Sequence, residues 1–139
     1  MNRIFADSYF FFATLNPRDA AHKKAIDFAR ESREPLLTTA WVLTELADGL
    51  AATPRRQAFR TLLADLEANK SNLIVPANTE TFEKGVDLYH NRPDKQWSLT
   101  DGISFVISFV VMTEEGVTDA LTGDHHFEQT GFKAMLYKP

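Results

Sequence analysis

Cysteine is absent from all 139 residues, which excludes disulfides, thiolate metal sites and a cysteine nucleophile. The absence fits a reducing compartment, so a cytoplasmic location is expected. Long apolar runs are missing too. Residues 4–15 are interrupted by Asp7 and follow no basic segment, so they do not read as a secretory signal. The later run from Ile103 to Met112 is too short to span a bilayer. Positive charge is not in excess either: 15 Lys and Arg stand against 19 Asp and Glu, for a formal net charge of −4. A chain that holds a polyanion by bulk charge is usually basic. If the substrate is nucleic acid, something local must reverse the repulsion, and bound divalent cations would do so.

What is present is ordinary for a globular chain, with 44% hydrophobic and 24% charged residues. The length suits one domain over residues 1–139 with a real core. Short apolar runs at 3–6, 35–38, 73–75 and 117–122 read as strands, and 135–137 as a fifth. Between them lie helical spacings. Asn16-Pro17 reads as a helix start, with the helix running to about Arg33. Ala40 to Ala52 places Val42, Leu43, Leu46 and Leu50 together. Thr53 reads as the cap of a further helix, with Pro54 at its first position. Another helix spans Thr79 to His90. Ser98-Leu99-Thr100-Asp101 matches a capping box before the run to Met112, which is read as a buried helix ended by Gly116. Strands separated by helices imply an α/β fold with a parallel sheet.

On that map the carboxylates take meaning. Asp7 ends the first strand, and Asp124 follows the fourth. Ligands of open α/β sheets bind beyond the carboxyl ends of the strands. Asp101 opens the buried helix, whose start faces the same rim in the usual strand-then-helix order. Glu45 lies in a helix among apolar neighbours. Carboxylates gathered at one rim repel one another, so the cluster requires a positive partner. Oxygen-only ligation points to Mg²⁺ or Mn²⁺. Such an ion stabilises charge on a phosphoryl oxygen and activates water, and the implied reaction is phosphodiester hydrolysis. Each acid also has a plainer reading. Asp101 could serve only the capping box, Asp7 a turn, and Glu45 a solvated helix face. Asp119 is read as structural or peripheral.

Four segments in order resemble the PIN-domain nucleases, and more closely the VapC-type toxins. They are Ile4-Phe5-Ala6-Asp7-Ser8-Tyr9-Phe10, Thr39-Ala40-Trp41-Val42-Leu43-Thr44-Glu45-Leu46, Trp97 to Phe105, and Ala120-Leu121-Thr122-Gly123-Asp124-His125-His126-Phe127 with Gly131-Phe132. The resemblance covers nearly the whole chain. It implies a three-layer α/β/α sandwich around a parallel sheet of about five strands. It also implies an acidic pocket of Asp7, Glu45, Asp101 and Asp124 that binds Mg²⁺ or Mn²⁺ and cleaves RNA. Toxin members usually dimerise and are silenced by a cognate VapB-type antitoxin. Ser8 stands where threonine is common, Gly102 where a small side chain is usual, and Gly123 adds freedom beside Asp124.

Other residues admit two readings. Thr100 and Ser8 could donate to a ligand carboxylate or to phosphate, but read better as caps. His125 and His126 read as a surface loop after the last acid, and His22 and His90 as helix-surface residues. Arg55, Arg56 and Arg60 form a basic cluster that could touch RNA phosphates or an acidic partner, but reads better as a solvated face. Trp41 and Trp97 suit the core, or Trp97 the groove. Competing functions are a PIN nuclease of RNA processing without an antitoxin, and a catalytically inactive binding module. A haloacid dehalogenase-type phosphatase would need a second aspartate at position 9, where Tyr9 stands. A receiver domain would need paired acids near the first strand's end, and no convincing set is present.

Overall fold

A computed structural model describes residues 2–52 and 54–138. Strand and helix alternate through β1 (Ile4–Ala6), α1 (Ser8–Leu15), α2 (His22–Glu31), β2 (Leu36–Thr39) and α3 (Ala40–Gly49). There follow α4 (Arg55–Ala68), β3 (Leu73–Val75), α5 (Thr79–Asn91), α6 (Leu99–Glu114), β4 (Asp119–Leu121), α7 (His125–Gln129) and β5 (Lys133–Ala134). The five strands form one sheet in the order β3-β2-β1-β4-β5, with every pairing parallel. Helices flank it in an α/β/α arrangement, as expected for strands joined by helical crossovers.

β1 occupies the middle of the sheet, and all three of its residues are buried. The chain leaves it toward β2 and β3 on one side and toward β4 and β5 on the other. This reversal of strand order opens a crevice between β1 and β4 at their carboxyl ends, where ligands of such sheets bind. The register pairs Ala6 with Leu121, which sets Asp7 beside Thr122. The buried Thr38 hydroxyl donates to the Ala6 carbonyl at 2.8 Å and ties β2 to the same strand.

The capping box at α6 forms as expected: the Asp101 amide donates to Ser98 Oγ at 3.1 Å, and the Ser98 amide donates to Asp101 Oδ2 at 3.2 Å. The run to Met112 is a helix, and its buried residues include Ile103, Ile107, Val111 and Met112. α5 lies against it closely: a Cβ on Gly85 would stand 2.5 Å from the Ile103 Cα, so only glycine permits this approach.

Four local expectations are corrected. α1 has no counterpart in the sequence reading, because SYFFFATL is apolar on nearly every side and offers no stripe. α2 begins at His22 rather than after Asn16. The Asn16 and Asp19 side chains accept from the Arg18 and Ala21 amides at 3.1 and 2.9 Å, and these local turns use the donors that a helix start would offer. α7 is likewise absent from the sequence reading. β5 is Lys133–Ala134 rather than 135–137; the Tyr137 amide turns back to the Ala134 carbonyl at 3.2 Å. Thr53, expected as a cap, lies outside the described residues. Among them, no helix is long and apolar enough to cross a membrane.

Candidate active site

Each expected acid reaches the crevice from a different element. Asp7 follows β1 and precedes α1, Glu45 lies in α3, Asp101 is in the first turn of α6, and Asp124 sits at the N-terminal cap of α7. All four line one cavity of about 330 Å³, together with Ser8, Tyr9, Trp97, Ser104 and Phe127 among others. α3 is aimed at the cavity by its own cap, where Thr39 accepts from the Val42 amide at 3.1 Å. Asp119 lies at the amino end of β4, in a separate recess with Arg3, Glu34 and Glu115.

The crevice is held together by Thr122, which is fully buried. Its hydroxyl donates to Asp7 Oδ2 at 2.8 Å and accepts from the Asp124 amide at 3.1 Å. One side chain, 115 residues from Asp7 in sequence, therefore ties together the segments that carry two acids. The sequence reading quotes Thr122 but gives it no role, since a threonine ending a strand is unremarkable until its partner is known. Ser104 was missed in the same way. It lies three residues after Asp101 on α6, on the buried face, and lines the cavity.

The electrostatics are those of acids drawn partly out of water and toward one another. Burial raises the Asp7 carboxyl to about 6; the Thr122 hydroxyl and the Ser8 and Tyr9 amides oppose that rise, and Asp124 adds to it. Burial raises Glu45 further, to about 8, with Asp7 and Asp101 adding to the rise and Ser104 opposing it. Among the described residues, no Lys or Arg pairs with Asp7, Glu45, Asp101 or Asp124. The Ser104 hydroxyl is buried, and although it favours the charged Glu45 it makes no hydrogen bond of full geometry.

Asp101 and Asp124 have structural duties besides. The capping box engages Asp101 Oδ2, as the plain reading of this residue expects. Asp124 Oδ1 accepts from the His126 amide at 2.9 Å and lies 2.7 Å from His126 Nδ1. His126 is thus no bare surface-loop residue; it is partly buried at the start of α7, while His125 is exposed. Asp124, His125 and His126 each offer one potential ligand atom within 4.8 Å of the others. His22 also departs from the surface reading, with Nδ1 2.7 Å from the Ala13 carbonyl.

Gly123 has a steric reason. A Cβ there would stand 2.4 Å from Tyr9 Cζ, so glycine lets the Tyr9 ring lie at the cavity mouth beside Asp124. Arg55, Arg56 and Arg60 are exposed on α4, as read. Trp41 is partly buried, with its Nε1 unpaired.

No protein-family model matches the sequence, and no curated protein matches it. Solved structures do match. VapC20 of Mycobacterium tuberculosis, a sarcin–ricin loop cleaving toxin, superposes with a TM-score of 0.71 over 93% of this chain and 95% of its own, at 22% identity. This chain has a PIN-like fold. DNA-bound VapBC from Salmonella typhimurium matches at TM-score 0.56 and 9% identity, over 96% of this chain and 97% of that one. FitAcB from Neisseria gonorrhoeae matches at 0.56 and 16%, over 94% of each chain. The PIN-like fold expected from the sequence is therefore the fold found. At these identities the likeness extends to the fold and no further.

Proposed function

We propose that this single-domain protein is a cytoplasmic, divalent-metal-dependent endoribonuclease and the toxin of a toxin–antitoxin pair. The observation that carries the reading is the convergence of Asp7, Glu45, Asp101 and Asp124 on one cavity with no Lys or Arg paired to them. The likeness of the fold to a ribosomal-RNA-loop cleaving toxin and to VapBC and FitAcB supports the choice of substrate and of an antitoxin partner. A homodimer belongs to the same proposal.

The residues suit a hard cation. Asp7, Asp101 and Asp124 offer carboxylate oxygens, as Mg²⁺ and Mn²⁺ prefer. Burial, with the neighbouring acids adding to it, raises the carboxyls of Asp7 and Glu45, and a cation bound among them would offset that cost. When bound, such an ion supplies water activation and charge neutralisation at the phosphate. Asp7, Asp101 and Asp124 would hold it, and Thr122 orients the Asp7 carboxylate and anchors the Asp124 backbone. Glu45 would complete the shell or take the proton of the attacking water at its carboxylate, with Ser104 beside it. The phosphate would gain the water oxygen and release its RNA oxygen, which takes up a proton from Glu45 or from solvent.

Cleavage of RNA by the wild type and by Asp101→Asn, each with and without EDTA, tests this. Loss of cleavage with either change is expected. Cleavage that persists with both changes in place excludes the mechanism.

A further inference from the structure

Trp97 is a large ring at the acidic cavity to which the proposed cleavage gives no role. It lines the acidic cavity and remains partly exposed. It is not loosely placed. Its ring lies on Phe105 with centroids 5.2 Å apart and planes tilted by 32°. Phe105 meets Phe109 edge-on at 4.3 Å, and Phe109 stacks on Phe132 at 5.5 Å. A column of four partly buried rings thus ends at the cavity. Ser98, the next residue, is locked into the capping box of α6, so the backbone at Trp97 is fixed relative to Asp101. The Lys95 ammonium lies 5.9 Å from the Trp97 ring centroid.

We infer that Trp97 is a stacking platform for one unpaired base of the RNA, next to the phosphate held among the acids. This inference rests on the nuclease reading above. The chain carries a net charge of −4, so general attraction to phosphates cannot supply the affinity. A base stacked on an aromatic face adds affinity that does not depend on charge, and does so for any base. Bases inside a duplex are stacked on their neighbours and cannot reach such a ring, so the subsite selects a nucleotide in a loop, bulge or single strand. Lys95, whose ammonium lies over the Trp97 ring, gives that face up to the base and is then left to pair with a neighbouring phosphate. The subsite selects for unpairedness rather than for a particular base.

Three measurements test the inference. First, a mixed-sequence single-stranded hexaribonucleotide is titrated with Mg²⁺ into the Trp41→Phe, Glu45→Gln protein. There Trp97 is the only one of the two tryptophans left, and turnover is blocked. Saturable quenching is expected, and none from a fully abasic hexamer. Second, Trp97→Ala raises KM for cleavage of the hexamer about tenfold with kcat within about twofold, and Trp97→Phe recovers most of the loss. Third, one abasic position raises KM for the wild type but adds nothing to the loss in Trp97→Ala. A merely structural tryptophan does not give that non-additivity, and the wild-type arm does not depend on how the variant folds. If the wild type cleaves while Trp97→Ala keeps its KM and no abasic position matters, the platform is overturned and the nuclease reading stands. If no RNA is cleaved with any divalent ion, the nuclease reading falls. The quenching arm then decides the platform alone: base-dependent quenching keeps it, and its absence removes it.

Discussion

At the carboxyl ends of β1 and β4, Asp7 and Asp124 share a cavity with Glu45 and Asp101. At the amino end of β4, Asp119 shares a recess with Glu34 and Glu115. Both places gather carboxylates at a strand end, yet their surroundings differ. The amino-end recess includes Arg3, whose Nε donates to the Ser71 carbonyl at 2.9 Å, and its Glu34 and Glu115 are exposed. The carboxyl-end cavity is walled by Phe12, Trp97, Phe105 and Phe127 and has no paired Lys or Arg among the described residues. Burial there raises Glu45 to about 8. Negative charge at a strand end is common. Negative charge held partly out of water with no Lys or Arg beside it is costly, and under the proposed function a bound cation would offset that cost.

The contrast can be broken or sharpened by matched substitutions at the two ends. The largest expected effect is on cleavage. Asp7→Asn should reduce kcat/KM by at least about a hundredfold, since even outer-shell partners of a metal are worth about 10–100-fold. Asp119→Asn should leave kcat/KM within about twofold. Equal losses in a cleavage assay would erase the distinction between the two ends.

The next effect is on stability against pH in the absence of divalent ions. Asp7 and Glu45 have folded values near 6 and 8, above their ordinary values of 3.8 and 4.5. Between those limits the folded chain holds more protons than the unfolded one, so stability falls as pH rises. The contribution is fully present below about pH 4 and is lost as pH passes through 6 and then 8. Solvent in the open cavity screens it to on the order of 2 kcal/mol. Urea unfolding in EDTA from pH 5 to 8 should show the decline, and Glu45→Gln should flatten its upper half. Glu115→Gln should leave the slope intact.

The smallest effect concerns the hydroxyls beside each acid. Thr122→Val removes a 2.8 Å bond to Asp7 and leaves the Asp124 amide without its acceptor, at a cost of about 1–2 kcal/mol. Thr118→Val removes only an exposed contact of 3.4 Å to Asp119, and its unfolding midpoint should barely move. A larger shift from Thr118→Val than from Thr122→Val in denaturant unfolding would overturn this account of the bridge.

Much of this arrangement was legible from spacing alone. The cap of α6 requires only that Ser98 and Asp101 stand three residues apart, and a local hydrogen bond needs nothing else. The strands around Phe5, Leu37, Ile74 and Ala120 are short apolar runs between breakers. α1 was not legible because an evenly apolar run carries no period. The start of α2 was misplaced because Asn16 and Asp19 satisfy nearby amides in turns, which the same residue types do as readily as they cap helices. The acids could be named as candidates from their places at strand ends and helix starts. Thr122, Ser104 and the reason for Gly123 could not, because each acts on a partner distant in the chain or packed from another element.

By itself, then, the sequence determined the alternation of strands and helices and the elements on which the acids lie, since these follow from neighbours a few residues apart. Only the tertiary structure decided that β4 lies beside β1 in the register that brings Thr122 to Asp7, and that Glu45 is partly withdrawn from water next to other acids. Those outcomes depend on contacts between remote segments and on the solvent they exclude, and neither is encoded in local spacing.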